Sequence, residues 1–217
     1  IEGLDLSGAL RYEHFSDFGS TTNWKATARY AFTDAIAVRA AASTGFRAPT
    51  PGQLYTTNVA TAFTGANPIE SGIYPVSTAA AQAFGAQALK PEKSKNLSAG
   101  VVFTPSSAFS VTLDAYQVKV DDRIGLTGNI DINTEQRRQM LRVAGVANAE
   151  TLGRIRYFTN SFATRTRGID LVANHTLNSG LGRFNTILAV NYNKTDVTRM
   201  DSFVVPVPAF GGVPASN

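Results

Sequence analysis

The 217-residue chain lacks cysteine altogether, which excludes disulfide scaffolds, thiolate metal sites and cysteine nucleophiles. Histidine is scarce as well. His14 and His175 lie far apart, and no cluster of His, Asp or Glu has the spacing of metal ligands. No residue stands in a nucleophile motif of the Gly-x-Ser-x-Gly kind. We therefore expect no metal site, no cofactor and no enzymatic activity.

Long apolar runs are missing too. Although 43% of the residues are hydrophobic, no run reaches the roughly 18 residues that a membrane-spanning helix needs. The net charge of +4 is small and scattered, so nucleic acid is not an expected partner. The chain begins at Ile1 without a signal-peptide pattern, and we expect it to be a piece of a longer mature protein.

Apolar and polar residues alternate along much of the chain. Between residues 23 and 32 every second side chain is apolar, which indicates a strand with two unlike faces. Several such segments reach the roughly 9–11 residues of a tilted membrane strand, whereas strands of soluble proteins usually have about 5–6. The pattern predicts seven strands, at about residues 4–15, 22–32, 36–47, 89–104, 108–121, 163–177 and 183–198.

The connections between these strands are of two kinds. Tight polar turns are expected at 33–35, 105–107 and 178–182, whereas long loops run over about 48–88 and 121–162, and 16–22 forms a modest outer loop. Bacterial outer-membrane barrels have short periplasmic turns and longer extracellular loops. The chain is therefore predicted to be all-β, an up-and-down antiparallel transmembrane β-barrel segment whose long loops contain short helices.

The alternation also predicts which side chains meet lipid. We expect the apolar set to point away from the barrel axis and the charged set to point inward. At Tyr116, Val118 and Val120 the apolar residues change phase, either because the strand has left the lipid belt or because a bulge shifts its register. The outward set comprises Trp24, Tyr30, Phe103, Leu113, Leu171 and Val190, and the inward set Arg29, Arg39, Asp114 and Asp170.

Four segments, in this order, carry a family resemblance. They are STGFRAPTP at 43–51 followed by Leu54-Tyr55, LKPEKS at 89–94, LDAY through DRI at 113–124, and TRGID at 166–170. Together they resemble TonB-dependent outer-membrane receptors of bacteria. The resemblance implies a barrel of about 22 strands closed by a plug. It also implies outer-membrane lipid as surroundings and TonB-energised uptake of a scarce small-molecule or metal-chelate ligand, such as a siderophore, a vitamin or a carbohydrate.

The resemblance covers only part of such a receptor. No plug domain, TonB-contacting box or terminal aromatic strand is recognised in residues 1–217, so we expect a late portion of the barrel, with TonB contacted through the missing plug. Two unpaired strand edges would cost several kcal/mol per unsatisfied group in lipid, so the segment is not expected to transport by itself. The Pro- and Gly-rich stretch 205–216 is expected to begin another outer loop.

The long loops are the expected place of ligand binding. The first has Glu70 as its only charged residue, and its aromatic side chains make a moderately apolar contact surface. A short helix is expected within 77–89, a second is expected to be capped by Asn133 and to end before Gly145, and a further helical turn is expected within 147–155.

Arginine is concentrated after that second helix cap, with only Glu150 as an acid between residues 137 and 167. Planar guanidinium groups suit an anionic ligand, but a solvated helix face or contact with lipopolysaccharide is the simpler explanation of them. Other functions also stay open: a porin or adhesin-type barrel without active transport, and a soluble β-sandwich that binds or processes carbohydrate. The candidate ligand-binding residues are Tyr55, Phe63, Tyr74, Arg137, Arg138 and Arg142.

Overall fold

The computed structural model describes residues 2–65 and 67–201, so the stretch 205–216 lies outside the described residues. The described chain forms two compact units. The strand unit comprises residues up to 47, 92–123 and 162–200, and the loop unit comprises 48–91, 124–161 and Asp201. The elements are β1 (Leu4–Phe15), β2 (Gly19–Ala31), β3 (Ile36–Arg47), α1 (Pro51–Tyr55), β4 (Asn58–Thr64), β5 (Asn67–Ile73), α2 (Ala79–Ala83), β6 (Glu92–Ser106), β7 (Phe109–Leu126), β8 (Ile130–Asp131), α3 (Glu135–Val143), β9 (Leu152–Arg156), β10 (Phe158–Ser179) and β11 (Gly182–Met200).

The strand unit is built on one antiparallel sheet of seven strands in the order β1-β2-β3-β6-β7-β10-β11. Each strand pairs with its neighbour along the predicted series, so the up-and-down prediction is confirmed. The sheet is not closed among the described residues, as expected for part of a barrel. The main error in the predicted bounds concerns β7 and β10, which have 18 and 22 residues and extend well into the stretch predicted as a loop.

At one end of the sheet the modest outer loop predicted over 16–22 is wrong, because β1 ends at Phe15 and β2 begins at Gly19, which leaves a tight connection of residues 16–18. At the other end, three tight connections join strands, and they span residues 32–35, 107–108 and 180–181. In the first, the Thr33 hydroxyl accepts hydrogen bonds from the backbone N–H groups of Ala35 at 3.2 Å and Ile36 at 3.1 Å. Such a side-chain bond satisfies donors that the sheet leaves unpaired. The predicted turns are therefore confirmed in position.

The strand register sorts the predicted sets onto opposite faces. On one face, here called the apolar face, Tyr30 lies opposite Val38 and Leu171 lies opposite Val190. Large apolar side chains on this face are exposed, for example Leu10 at 76% and Val101 at 45%. A continuous exposed apolar surface of this kind marks contact with an apolar medium. The grouping is confirmed, and contact of this face with lipid stays a prediction.

The other face, here called the polar face, is bound together by ion pairs and hydrogen bonds. Arg39 donates to both carboxylate oxygens of Asp114, at 2.8 and 2.5 Å. The pair reaches across Gly100, where an added Cβ would lie 2.0 Å from an Asp114 oxygen. Arg29 lies opposite Arg39 and forms an ion pair with Asp5 at 3.5 Å. Any larger residue at Gly100 would therefore block the Arg39–Asp114 bond.

The change of phase at Tyr116 has a simple cause. The pairing of β6 with β7 runs without a shift from Lys93–Asp121 to Phe103–Val111, so no bulge lies there. Tyr116 belongs to the polar face, where a Cβ at Gly168 would come within 2.4 Å of its ring and where its hydroxyl accepts from Asn191 at 3.3 Å. A bulge is therefore excluded. The remaining explanation is that the strand, beyond Ala115, has left the apolar part of the sheet.

The loop unit has a hydrophobic core of its own, made by both long loops together. Its largest fully buried side chains are Phe84, Leu141, Leu152, Ile155 and Tyr157. A second sheet runs in the order β4-β5-β9-β8, in which β5 and β9, from different loops, pair in parallel. This sheet was not predicted. Of the helical turn expected within 147–155, only the first half is confirmed: the Asn148 carbonyl accepts from the backbone N–H groups of Thr151 at 3.1 Å and Leu152 at 3.0 Å, whereas 152–156 is strand β9.

Three short helices occur in the loop unit, and their caps correct two sequence expectations. Thr134, not Asn133, caps α3, and its hydroxyl accepts from the backbone N–H of Arg137 at 3.3 Å. With Thr134 as the cap, the third helical residue is Arg137 and not Gln136, so the predicted pairing of Asn133 with Gln136 in a capping box is wrong. The first helix, α1, was missed although Thr50 and Gln53 form a complete capping box with proline between them. The helix expected within 77–89 is confirmed as the shorter α2. None of the described helices is long and apolar enough to cross a membrane.

Candidate functional site

The two long loops are joined by hydrogen bonds as well as by their shared core. The Tyr157 hydroxyl, buried at 1% exposure, donates to the Phe84 carbonyl at 2.8 Å. At the base of the unit, the Asn160 amide donates to the Lys90 carbonyl and accepts from the Lys90 backbone N–H, both at 2.9 Å. These reciprocal bonds close both loops, so the candidate site is one folded body and not two separate arms.

Glu70 is a further polar tie between the loops. Its carboxylate accepts hydrogen bonds from the Asn148 amide and, at 3.4 Å, from the Thr151 hydroxyl. Its own backbone N–H donates to the Thr151 carbonyl at 2.8 Å. Sequence reading identified Glu70 only as the single charge of the first loop. In the structure, side chains of the second loop bind its carboxylate. No local sequence signal indicated these partners.

Arg138 and Arg137, two of the candidate ligand-binding arginines, are engaged with backbone carbonyls. The Arg138 guanidinium donates to the carbonyls of Ala149 and Glu150, both at 2.7 Å, and to that of Ile132 at 3.3 Å. Arg137 donates to the Asp131 carbonyl at 2.5 Å. Carbonyl oxygens at the ends of loop segments need donors when water is excluded. Both side chains therefore hold the second loop in shape.

Arg142 differs because its partners are exposed carboxylates. It donates to Glu150 at 2.7 Å and to Glu135. The hydrogen bond from Arg142 lowers the pKa of Glu150, and the same bond is the largest cause of the raised pKa of Arg142. Acids just before the arginine-rich stretch supply much of the pairing, since Asp131 also binds Arg154 at 2.7 Å. The negative charges that balance these arginines therefore lie partly before residue 137, outside the stretch in which Glu150 is the single acid.

The three candidate aromatic residues divide into two kinds. Tyr55, at the end of α1, and Phe63, in β4, are 68% and 72% exposed. Tyr74 instead packs against the core of the loop unit, and burial raises the pKa of its hydroxyl. Exposed aromatic rings on an ordered scaffold are typical contact residues. Of the three aromatic candidates, Tyr55 and Phe63 are thus the exposed ones.

Replacing Tyr157 by Phe is expected to loosen the loop unit by about 1 kcal/mol, because the Phe84 carbonyl loses its donor. Protease cleavage within the loops should become roughly fivefold faster in the full-length receptor. The control Tyr55→Phe removes a hydroxyl from an exposed side chain and should leave the cleavage rate unchanged.

Burial raises the pKa of Tyr157 from 10.0 to about 12. Its stabilising contribution is therefore complete below pH 10 and declines as the pH rises toward 12.

The pH dependence of cleavage provides a second test of this prediction. The wild-type loops should become more cleavable across that alkaline interval, and Tyr157→Phe should lose this extra sensitivity. Equal cleavage rates for the wild type and Tyr157→Phe at neutral pH, or an identical alkaline response, would show that the buried hydroxyl does not join the loops.

Comparison with known proteins supports the same architecture. The sequence matches the family described as TonB dependent receptor-like, beta-barrel, over residues 1–216. A search of curated protein sequences finds no match. The barrel match and the single seven-stranded sheet make the soluble β-sandwich alternative wrong.

Several solved structures share the fold. A mutant of the ferric enterobactin receptor PfeA of Pseudomonas aeruginosa, in complex with enterobactin, is 16% identical with a TM-score of 0.60, over 88% of this chain and 25% of that one. The siderophore receptor PirA of the same organism is 17% identical with a TM-score of 0.58, over 91% and 32%. The RagAB peptide transporter is 13% identical with a TM-score of 0.59, over 94% and 21%.

The chain thus spans between about a fifth and a third of the length of these solved proteins. At such low identity the likeness shows the fold alone, whereas the family match extends over nearly every residue. The chain belongs to the family of TonB-dependent receptor-like β-barrels.

Proposed function

We propose that this chain is part of the barrel of a longer bacterial outer-membrane receptor, which takes up a scarce small molecule or metal chelate with energy delivered by TonB through a plug domain. One observation supports this most directly: both long loops fold into a single unit with a buried core. Loops ordered in this way present a fixed surface, and binding residues concentrate on loops held by a rigid scaffold.

A ferric siderophore is the ligand class that we place first. The structural relatives named above include a receptor solved with enterobactin, although a peptide transporter shares the fold equally well. The chemistry of the loops is compatible with an aromatic, anionic chelate. Tyr55 and Phe63 offer exposed rings, and Arg142 offers a guanidinium whose present partners, Glu135 and Glu150, have side chains 73% and 64% exposed.

Arg142 is the best placed of the three arginines for an anion. Its carboxylate partners are solvated, so exchanging one of them for a ligand costs little. Arg137 and Arg138 would have to abandon backbone carbonyls of the second loop, which would then lack donors. We therefore assign direct contact to Tyr55, Phe63 and Arg142, and support of the loop to Arg137, Arg138 and the half-buried Tyr74.

The test uses the full-length receptor with ferric enterobactin, cobalamin and an oligopeptide as probes, in cells with and without TonB. We expect TonB-dependent uptake of one probe. The double variant Tyr55→Ala and Phe63→Ala should bind that probe at least about tenfold more weakly, since buried aromatic anchors are each worth about 1–2 kcal/mol or more at interfaces. Leu181→Ala, which truncates a 92% exposed side chain in a tight turn, is the control.

Two outcomes would contradict the proposal. Uptake that is equal with and without TonB would indicate a porin-type barrel without active transport. Unchanged affinity in the double variant, with the receptor present in the outer membrane, would move the ligand contacts away from these loops.

A further inference from the structure

Strand β4 forms one edge of the sheet in the loop unit. It pairs with β5 on one side, from the Asn58–Ile73 pair to the Thr64–Asn67 pair, and among the described residues no strand lies on its other side. The other outer strand of this sheet, β8, has only two residues. Within the described part of the loop unit, β4 is therefore the one long free edge.

The hydrogen bonds of β5 show how its backbone is turned. The N–H of Glu70 donates to the Thr151 carbonyl at 2.8 Å, and the N–H of Tyr74, just past the strand, donates to the Arg156 carbonyl at 2.9 Å. Both bonds run toward the second loop, on the side of β5 away from β4. Because backbone groups alternate in direction along a strand, the even-numbered residues of β5 do not bond to β4.

This orientation fixes which backbone groups of β4 are free. Thr61 lies opposite Glu70, so its N–H and C=O groups point away from β5, toward the free edge. Val59 and Phe63 lie two residues to either side of Thr61 and have the same orientation. The residues between them bond to β5. The free edge therefore offers the N–H and C=O groups of Val59, Thr61 and Phe63.

This edge lacks the features by which proteins usually keep a free edge from pairing. Segment 58–64 contains no charged residue and no proline, and its register with β5 has no shift. The side chains of Val59 and Phe63 are exposed. Free edges are usually blocked by charges, proline or bulges, because they otherwise pair with another chain. An edge left open in this way indicates a surface that a partner strand covers.

The edge is complementary to itself. When a second copy of β4 lies antiparallel, with Thr61 opposite its own counterpart, Val59 of one copy lies opposite Phe63 of the other. The residues with free backbone groups then meet one another, and each pair exchanges both of its backbone hydrogen bonds. Aromatic residues opposite β-branched residues, and Thr opposite Thr, are favourable side-chain pairs across strands. No like charges meet in this register.

We propose that two copies of the receptor associate through this edge, by an antiparallel pair of β4 strands centred on Thr61. A chelate, a sugar or a lipid cannot supply N–H and C=O groups at the spacing of a strand, so the occupant is a polypeptide. The loop unit of a second copy offers an uncharged free edge of the same length. The inference goes beyond uptake and does not depend on which ligand is imported.

Sedimentation of the purified full-length receptor in neutral detergent measures the association. One pair of short strands buries less than the roughly 800 Å² per partner of a standard interface, so we expect a reversible dimer whose fraction rises with concentration. Thr61→Pro removes an N–H from the free edge and keeps the bonds to β5, so it should weaken association at least about tenfold. The matched control, Thr61→Val, keeps the N–H and should associate like the wild type.

A pair of charged variants tests whether the occupant is a second copy. Thr61→Lys and Thr61→Glu each place like charges opposite each other in the symmetric pair, so each variant alone should be monomeric. An equal mixture of the two should form mixed dimers with an affinity at least about tenfold higher than either variant has for itself. Because Thr61 also lies opposite Glu70 within the sheet, Thr61→Glu alone disturbs the β4–β5 pair as well. Recovery in the mixture is therefore the deciding result.

Disulfide formation tests the register, in a full-length receptor whose other cysteines are replaced by serine. Residues of a hydrogen-bonded pair have Cα atoms about 5.5 Å apart, which a disulfide can bridge, so Thr61→Cys should link two copies on mild oxidation. The control Ala62→Cys, also exposed, lies opposite residue 60 of the other copy and should link much more slowly. A receptor that is monomeric at all concentrations, a mixture without mixed dimers, or equal linking at 61 and 62 would each overturn the proposal. None of these measurements involves uptake, so their failure leaves the proposed function untouched.

Discussion

Arginine introduced at Leu113 is expected to destabilise the full barrel by about 2–4 kcal/mol, which is the cost of a basic residue near the midplane of the bilayer. Leu113 lies on the apolar face, 47% exposed, between apolar neighbours on the same strand at Val111 and Ala115. The side chain has nowhere to place its charge except among acyl chains. Leu171, also on the apolar face, is expected to respond in the same way.

The measurement is a refolding titration of the full-length receptor in lipid vesicles. Thr112→Arg is the matched control, because Thr112 is the adjacent residue of the same strand and points to the opposite face. We expect a cost below about 1 kcal/mol there, since substitutions in a wet lumen are tolerated. Equal costs at 112 and 113, or a negligible cost at both 113 and 171, would mean that the apolar face does not meet lipid.

Loss of the Arg138 side chain is expected to be the most damaging single change in the loop unit. Its guanidinium serves three backbone carbonyls, and hydrogen bonds to charged groups are worth about 1.5–3 kcal/mol. Arg138→Ala should therefore unfold or loosen the second loop. Arg142→Ala, which removes exposed ion pairs, should cost about 0–1 kcal/mol.

Hydrogen exchange of the full-length receptor distinguishes the two variants. In Arg138→Ala the amides of α3 and β9 should exchange faster, by roughly tenfold or more if about 1.4 kcal/mol is lost. In Arg142→Ala exchange should match the wild type. The reverse order would mean that Arg142 supports the loop and that Arg138 is the residue free to meet a ligand.

The strand unit was accessible to sequence reasoning because its strands carry a local, repeating signal. Side chains on a strand alternate between faces, so Trp24, Tyr30 and Leu113 could be placed on one face without knowing any contact. The phase change at Tyr116 was visible as well. Its meaning needed the register, which shows an unshifted strand with Tyr116 on the polar face.

The loop unit was not accessible in the same way, because its order comes from contacts distant in sequence. Tyr157 and Phe84 lie 73 positions apart, and Glu70 and Asn148 lie 78 apart. The parallel pairing of β5 with β9 joins two loops that sequence reading treated separately. Composition marked the arginines of α3 correctly as a group, but it could not distinguish Arg138, bound to carbonyls, from Arg142, bound to exposed acids.

The joint fold of the loops also changes how they should be tested. Deleting residues 121–162 would remove strand residues with their own partners, such as Arg123, which donates to Thr164 at 3.1 Å and lies 5.3 Å from the Phe162 ring. The same deletion would expose the core side chains of the first loop. Loss of uptake in such a variant would follow from misfolding alone, so point substitutions at Tyr55 and Phe63 are the sharper test.

The central claim is that this sheet spans the outer membrane with its apolar face in lipid. Single cysteines with a spin label can report it strand by strand, because this chain has no cysteine of its own and any cysteine elsewhere in the full-length receptor can be replaced by serine. In the full-length receptor in lipid vesicles, labels at 111, 113 and 115 should be reached by oxygen, and labels at 112 and 114 by a water-soluble nickel chelate. At 117 and 119, in the same register as the apolar face, access should shift to the chelate. A uniform pattern, or one with the two faces exchanged, would contradict the account.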